Sequence, residues 1–245
     1  MSLFHHKKKP STDTIENGVK LVTALEPKNI VSEQFRTVRT NIDFSSVDTE
    51  IKTLLFTSSE VSEGKSTVSG NTAVAWAQQG KKVLFVDADL RRPTLNATFG
   101  LVNTQGLSTI LANNEDYHSV LNESGVDNLT IITSGPVPPN PAELLNSNRM
   151  KNFLRSAENE YDLVILDVPP LLSVTDTQVL AANVDGVVLV VRQGVAQRAA
   201  VTRSKELLTM VHANLLGYVL NDVEPKNGYG YGYGYGYGYE GSLKG

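Results

Sequence analysis

Six short apolar, β-branched runs alternate with helical stretches along this chain, and that alternation limits the fold more than any other feature. The runs are Ile51–Thr57, Lys82–Asp87, Asn128–Thr133, Asp162–Asp167, Gly186–Arg192 and Leu215–Asn221. Helical stretches lie between them near Lys65–Gln79, Pro141–Asn159, Thr175–Ala182 and Ala196–His212. Several runs are apolar on consecutive positions, as strands covered on both faces should be. The spacing predicts an α/β fold, a parallel sheet with helices on both faces. Such sheets bind ligands beyond the carboxyl ends of their strands, so the residues that follow each run carry the functional argument.

The first run leads through Ser59-Glu60-Val61-Ser62-Glu63-Gly64-Lys65-Ser66-Thr67 into a helix. Gly-Lys-Ser/Thr between strand and helix is a phosphate cradle. Backbone N–H groups of Ser62, Glu63, Gly64, Lys65, Ser66 and Thr67 and the helix N-terminus face an anion. Lys65 reaches the outer phosphates, and Ser66 offers an oxygen to Mg2+. The generic pattern has glycine at position 59, where this chain has Ser59.

Two more runs end in acids. Leu84-Phe85-Val86 is followed by Asp87-Ala88-Asp89-Leu90-Arg91, and Leu163-Val164-Ile165-Leu166 by Asp167-Val168-Pro169-Pro170. Carboxylates at the ends of parallel strands beside a phosphate loop are placed to hold hydrated Mg2+ and to orient an attacking hydroxyl. Taken singly, each acid is equally a helix cap or a solvated turn residue. Taken together with the loop, they are hard to read as caps.

At these residues the sequence resembles the bacterial tyrosine kinases of capsule and exopolysaccharide loci, in particular the cytoplasmic kinase subunit of the Gram-positive type. Gly64-Lys65-Ser66 matches that family's Walker A, Asp87-Ala88-Asp89-Leu90-Arg91 its Walker A′, and Asp167-Val168-Pro169-Pro170 its Walker B. Its Glu-x-x-Arg-x-x-Arg helix is similar to Glu33, Arg36 and Arg39, and Pro138–Leu145 also matches. The resemblance implies a P-loop NTPase-like fold of the deviant Walker group and autophosphorylation on tyrosine with ATP and Mg2+. It implies Lys65, Asp87 and Asp89 as catalytic residues, Ser66, Asp87 and Asp167 at the metal, and Asn221 near adenine, a position where an Asn equally caps its strand. Asp89, with Asp87 as its rival, would take the proton of a phenol whose pKa is ordinarily about 10. The family loop often carries Pro-Gly where this chain has Val61-Ser62, so a positive φ at position 62 would be strained here.

Val31, Phe35, Val38 and Ile42 fall on one helical face, which predicts that a helix over 31–43 packs on the body. By spacing alone, Glu33, Arg36 and Arg39 are a solvated charge row with weak pairs. The resemblance implies instead that they bridge neighbouring subunits of a homo-oligomeric ring.

The chain divides into an irregular N-terminal arm (1–29), a P-loop kinase domain (30–222) and a tail (223–245). Six of the 9 tyrosines, Tyr229, Tyr231, Tyr233, Tyr235, Tyr237 and Tyr239, alternate with glycine in that tail. So many glycines carry a high ordering cost, and the segment reads as disordered. When extended, its period of two puts all six tyrosines on one face, and the resemblance implies that they are the phosphoacceptors. From Asn221 to Tyr239 the chain spans roughly 20–25 Å as a coil and up to about 60 Å extended, enough to reach a neighbour's site.

The absence of cysteine excludes disulfides and Cys-ligated metals. A formal net charge of −4 argues against nucleic acid as a partner. The N-terminus is not a secretory signal, and no apolar run approaches a bilayer span. The resemblance therefore implies a cytoplasmic protein held at the inner face of the plasma membrane by an integral-membrane activator, a polysaccharide co-polymerase subunit. It also implies a cognate tyrosine phosphatase and polysaccharide-biosynthesis enzymes as possible substrates. Two other functions compete: a partitioning-type ATPase and a non-catalytic nucleotide-gated scaffold. The first group carries a second lysine five residues before the Gly-Lys lysine, and here that position is Glu60.

Overall fold

The computed structural model describes residues 13–45 and 50–223. The chain enters through two short helices, α1 (Asp13–Asn17) and α2 (Val22–Leu25), followed by α3 (Ile30–Phe44). β1 (Thr53–Ser58) leads into α4 (Lys65–Gln78), and β2 (Val83–Asp87) into α5 (Leu95–Phe99), α6 (Leu107–Asn113) and a 3-10 turn at Tyr117–Val120. Two short strands, β3 (Asn122–Glu123) and β4 (Leu129–Ile132), precede α7 (Pro141–Leu145) and α8 (Asn148–Glu160). The rest alternates as β5 (Leu163–Asp167), α9 (Asp176–Ala181), β6 (Gly186–Arg192), α10 (Arg198–Met210) and β7 (Leu215–Asn221).

The sheet order is β3-β4-β2-β5-β1-β6-β7. All neighbours are parallel except β3, which runs antiparallel to β4. β5 therefore lies between β1 and β2, and Asp87 pairs in register with Asp167. That register brings the phosphate loop and both acidic strand ends together at the carboxyl end of the central strands.

Successive strand residues feed two separate cores. Leu55, Leu84, Val86, Val164 and Leu166 face the core under the helices that hold Ile110, Leu154, Leu180 and Leu208. Leu54, Phe56, Val83, Phe85 and Ile165 face the other core, with Trp76 of α4 and Phe35 of α3. Burial on both sides is why these strands read as unbroken apolar runs rather than alternating ones.

Several boundaries differ from those expected. The stretch Pro141–Asn159 is two helices, because Ser147 accepts the Met150 N–H at 3.2 Å and starts α8 afresh. Asn128 has a φ of 64°, so β4 begins only at Leu129. β3 has two residues, too few to show a period. The arm is not irregular throughout. Within it Leu21 and Thr23 are buried, the Thr23 N–H donates to Asn71 Oδ1 at 2.9 Å, and Asn71 Nδ2 donates to the Lys20 carbonyl at 3.0 Å. One buried amide of α4 thus ties down the segment from Lys20 to Thr23, a tertiary effect that local sequence does not carry.

The packed face of α3 is narrower than its spacing suggests. Asn29 accepts the Val31 N–H and caps the helix, and Phe35 and Ile42 are buried, but Val31 is exposed. Nor are Glu33, Arg36 and Arg39 a uniformly solvated row. Arg36 pairs with Glu33 and donates to the Pro27 carbonyl at 2.8 Å. Arg39 turns inward and donates to the Ala75 carbonyl near the C-terminal end of α4 at 3.1 Å, where a cation suits the helix dipole.

Candidate active site

The loop between β1 and α4 is held from both flanks. Asn221 Nδ2, at the end of β7, donates to the Glu63 carbonyl at 3.0 Å, and Arg192 Nη1, at the end of β6, donates to the Ser62 carbonyl at 3.1 Å. Gly64 has a φ of 89°, and a Cβ there would stand 2.1 Å from Asn221 Nδ2, so only glycine fits. Ser62 has a φ of 65°, the strained conformation expected if this loop followed its relatives' path without their glycine. Ser59 causes no such difficulty. It is buried, and its hydroxyl accepts a bond from Ser204 Oγ at 3.0 Å.

Glu63 turns away from the phosphate position. Its Oε1 accepts the Glu60 N–H at 2.8 Å, while its Oε2 is buried without a partner. Burial pushes its pKa up, against the lowering effect of the backbone bonds that it accepts. Its contribution to the cradle is backbone alone. The first turn of α4 carries no acidic residue, and the first bond across that turn is from the Val68 N–H to the Gly64 carbonyl. The N–H groups of Lys65, Ser66 and Thr67 precede it and suit an anion.

Lys65 Nζ lies 3.3 Å from Asp89 Oδ2 and 3.3 Å from Asp167 Oδ2. Burial opposes its charge, but Asp167, Asp89 and Asp87 together outweigh that effect and raise its pKa. Asp167 accepts the Ser66 hydroxyl at 2.6 Å and the Ser69 hydroxyl at 3.2 Å. Ser69 was not expected here, although it sits three residues from Ser66 on the same helix, a spacing that shares a face.

The two acids of the Asp87-Ala88-Asp89 segment have different surroundings. Asp87 is fully buried and accepts the N–H groups of Thr94 and Leu95 at 2.9 Å each and of Asp89 at 3.2 Å. Burial, followed by the neighbouring Asp167, pushes its pKa up to about 7. Burial also raises Asp167, partly offset by Lys65 and Ser66. Asp89 accepts the Arg92 N–H at 3.0 Å on one oxygen and faces Lys65 with the other. Arg91 pairs through two nitrogens with the buried Asp176, at 2.8 and 3.2 Å, a clamp that nothing in the spacing announced.

A cleft of about 410 Å³ opens above these groups. Ser62, Gly64, Lys65, Ser66, Thr67, Asp89 and Asn221 line it, while Asp87 and Asp167 stand behind that lining. Thr14, Ile15 and Val19 of the arm, with Arg92 and Thr94, form a wall that sequence reasoning did not include. Glu33, Arg36 and Arg39 lie outside the cleft, and the six tail tyrosines fall outside the described residues.

The donor set suits Mg2+. Three buried carboxylates face one lysine, and two of them have raised pKa values, which leaves a local deficit of positive charge. Among the described residues no cluster of three or more acid, His or Cys side chains forms a closed metal cage. Mg2+ does not require one, since it keeps several waters and takes one or two protein oxygens. Ser66 would provide the direct oxygen, and Asp167 and Asp87 would hold the waters.

The family model described as "AAA domain" matches residues 51–215. Tyrosine-protein kinase YwqD of Bacillus subtilis (strain 168) is 46% identical over 201 residues, 82% of this chain and 85% of that protein. Putative tyrosine-protein kinase CapB of Staphylococcus aureus is 42% identical over 196 residues, 80% of this chain and 86% of that protein. The solved kinase domain of Escherichia coli tyrosine kinase ETK superposes with a TM-score of 0.82 at 37% identity, covering 89% of this chain and 86% of that one. The shared P-loop NTPase fold is one that binds nucleotide with Mg2+. By sequence and by fold, this chain belongs to the family of bacterial tyrosine-protein kinases.

Proposed function

We propose that this protein is an ATP-dependent tyrosine kinase that phosphorylates its own C-terminal tyrosines in trans and regulates capsule or exopolysaccharide synthesis and export. The observation that carries the reading is Lys65 Nζ equidistant, at 3.3 Å, from a carboxylate that lines the cleft and one that holds Ser66. A lysine so fixed is aimed at charge that develops on a transferring phosphoryl group.

In this reading Asp89 accepts the proton of the tyrosine hydroxyl as that oxygen bonds to the γ-phosphorus. The bond from phosphorus to the β,γ-bridging oxygen breaks, and ADP leaves with the electron pair. Lys65 and the N–H groups of Ser62 to Thr67 stabilise the charge that shifts onto the phosphate oxygens. Ser66, Asp167 and Asp87 would hold Mg2+, which when bound supplies positive charge against the phosphates. Asp87 is bound by three backbone N–H groups, so its part is to fix the turn and face the metal's water rather than the phenol. Asn221 stands at the adenine side and positions the loop through Glu63.

The phosphoacceptors are Tyr229, Tyr231, Tyr233, Tyr235, Tyr237 and Tyr239, supplied by a neighbour in a ring whose contacts include Glu33 and Arg36. An integral-membrane activator would recruit the chain to the membrane, since no helix among the described residues is long and apolar enough to cross one. A cognate phosphatase reverses the modification, and polysaccharide-biosynthesis enzymes are the candidate external substrates. Phosphotyrosine detection after incubation with ATP and Mg2+, with the activator's cytoplasmic segment present, tests the reading. Wild type should label and Lys65→Met should not. Equal labelling of the two would refute it.

A further inference from the structure

The two ends of the cleft differ in chemistry, and the sheet order explains why. On one side of the loop after β1 lie β6 and β7, whose Arg192 and Asn221 are already engaged with the loop carbonyls. On the other side lies β2, whose following turn carries Asp89, Arg92 and Thr94. If the nucleoside lies toward Asn221, the acceptor has to approach from the β2 side.

That side holds groups without partners. Thr94 is 5% exposed, and its hydroxyl has no hydrogen-bond partner, although its N–H is bound to Asp87. Arg92 lines the cleft half-buried, and among the described residues its guanidinium makes no ion pair, whereas its neighbour Arg91 is clamped by Asp176. A buried orphan hydroxyl and an unneutralised arginine beside a catalytic acid suit a ligand with a hydroxyl and a nearby negative charge.

The arm supplies the apolar part. Ile15 and Val19 line the same wall. They are held in place, because the Val19 N–H donates to Thr98 Oγ1 at 3.1 Å. Gly18, at a φ of 70°, lies so close that a Cβ would stand 2.4 Å from Thr98 Cα. A fixed apolar surface opposite a hydroxyl and a guanidinium matches a phenol ring with an anion alongside.

We propose that Ile15, Val19, Arg92 and Thr94 form the acceptor subsite, and that it prefers a tyrosine flanked by a phosphotyrosine. This rests on the kinase reading. The ring packs on Ile15 and Val19, Thr94 bonds the phenolic oxygen near Asp89, and Arg92 pairs with the neighbouring phosphate. In an extended Tyr-Gly-Tyr segment the next tyrosine on the same face is about 7 Å away, within the span of an arginine side chain from the reacting hydroxyl. The first phosphate added to a tail therefore promotes the next.

The test is fluorescence anisotropy with labelled Tyr-Gly-Tyr-Gly-Tyr peptides, unmodified or bearing one phosphotyrosine, titrated with the full chain in ADP and Mg2+. Wild type should bind the phosphopeptide about tenfold more tightly, and Arg92→Gln should erase the difference while its affinity for a fluorescent nucleotide stays the same. Ile15→Ser should weaken both peptides equally. Equal binding of the two peptides by wild type overturns the proposal, as does a loss of nucleotide affinity in Arg92→Gln, which would assign Arg92 to the nucleotide. Failure of the kinase reading would look different, with the binding preference intact and no phosphotyrosine formed from ATP.

Discussion

Lys65 Nζ lies 3.3 Å from Asp89 Oδ2, whereas Asp87, two residues earlier on the same strand end, has both oxygens committed to backbone N–H groups. In the proposed mechanism this difference favours Asp89 over Asp87, its rival by sequence alone, as the proton acceptor. Asp89 reaches the cleft, and Asp87 builds the turn that presents it.

Substitutions at these two positions should differ in kind. Asp89→Asn should keep nucleotide affinity within a few-fold and lower phosphoryl transfer by about a hundred- to ten-thousandfold, the range for loss of a positioned proton acceptor. Asp87→Asn should also lower thermal stability, because both carboxylate oxygens accept backbone N–H groups and an amide would turn an NH2 toward one of those donors. A fluorescent nucleotide titration, an activity assay and a melting curve on each variant check this. Equal stability of the two variants would contradict the division of roles.

Ser62 holds a φ of 65° where a glycine would be unstrained. A side chain in that region costs about 1–2 kcal/mol, and more when it is β-branched. Ser62→Val should therefore lower the melting temperature, while Ser62→Gly should leave it unchanged or slightly raised, since glycine's added unfolded-state entropy offsets part of the relief. Differential scanning calorimetry decides it.

Much of this was legible in the sequence, and for a common reason. The strands that read correctly are those buried on both faces, where the apolar run itself is the evidence. β6 (Gly186–Arg192) has the expected bounds, and so does β7 (Leu215–Asn221), although β7 is an edge strand with Tyr218 and Leu220 exposed. The loop and the acids Asp87, Asp89 and Asp167 were legible because their position after such runs is local information. What failed depends on distant partners. The bonds from Asn71 that hold the arm, the Asp176 clamp on Arg91 and the inward turn of Arg39 join residues far apart in the chain. No local period encodes them. The arm's share of the cleft wall was missed for the same reason.

The inward turn of Arg39 changes how ring formation is best probed. Arg39→Ala should destabilise the chain by itself, because it removes the donor to the Ala75 carbonyl. Glu33→Ala/Arg36→Ala loses a half-exposed pair and the Arg36 bond to the Pro27 carbonyl, so it should cost about 1–2 kcal/mol, short of unfolding the chain, yet render the protein monomeric. Light scattering beside thermal melts separates the two effects. A double variant that still assembles would remove these residues from the interface.

His118 lies between Asp116, at 2.6 Å, and Glu160, at 2.9 Å, and its ring stacks on Tyr117. The bond to Glu160, followed by that to Asp116, raises its pKa above the ordinary 6.5. A group with a raised folded-state pKa contributes stability that is fully present below its unfolded value and is lost as pH rises through its folded value. The melting-temperature gap between wild type and His118→Gln should be widest near pH 5.5, roughly a unit below the unfolded imidazole pKa. It should close at alkaline pH. A gap that widens as pH rises would show that the imidazolium is not the stabilising form.

The central claim is phosphoryl transfer from ATP to the tail of a neighbouring copy, and intact-mass spectrometry of a mixture tests it most directly. Wild type whose six tail tyrosines are replaced by phenylalanine supplies an active site without acceptors, and Lys65→Met supplies acceptors without an active site. Incubated together with ATP, Mg2+ and the activator's cytoplasmic segment, the Lys65→Met chains should gain up to six phosphates on Tyr229 to Tyr239 while the phenylalanine chains gain none there. Lys65→Met chains that remain unmodified in the mixture, while ordinary wild type labels its tail under the same conditions, would contradict transfer between copies.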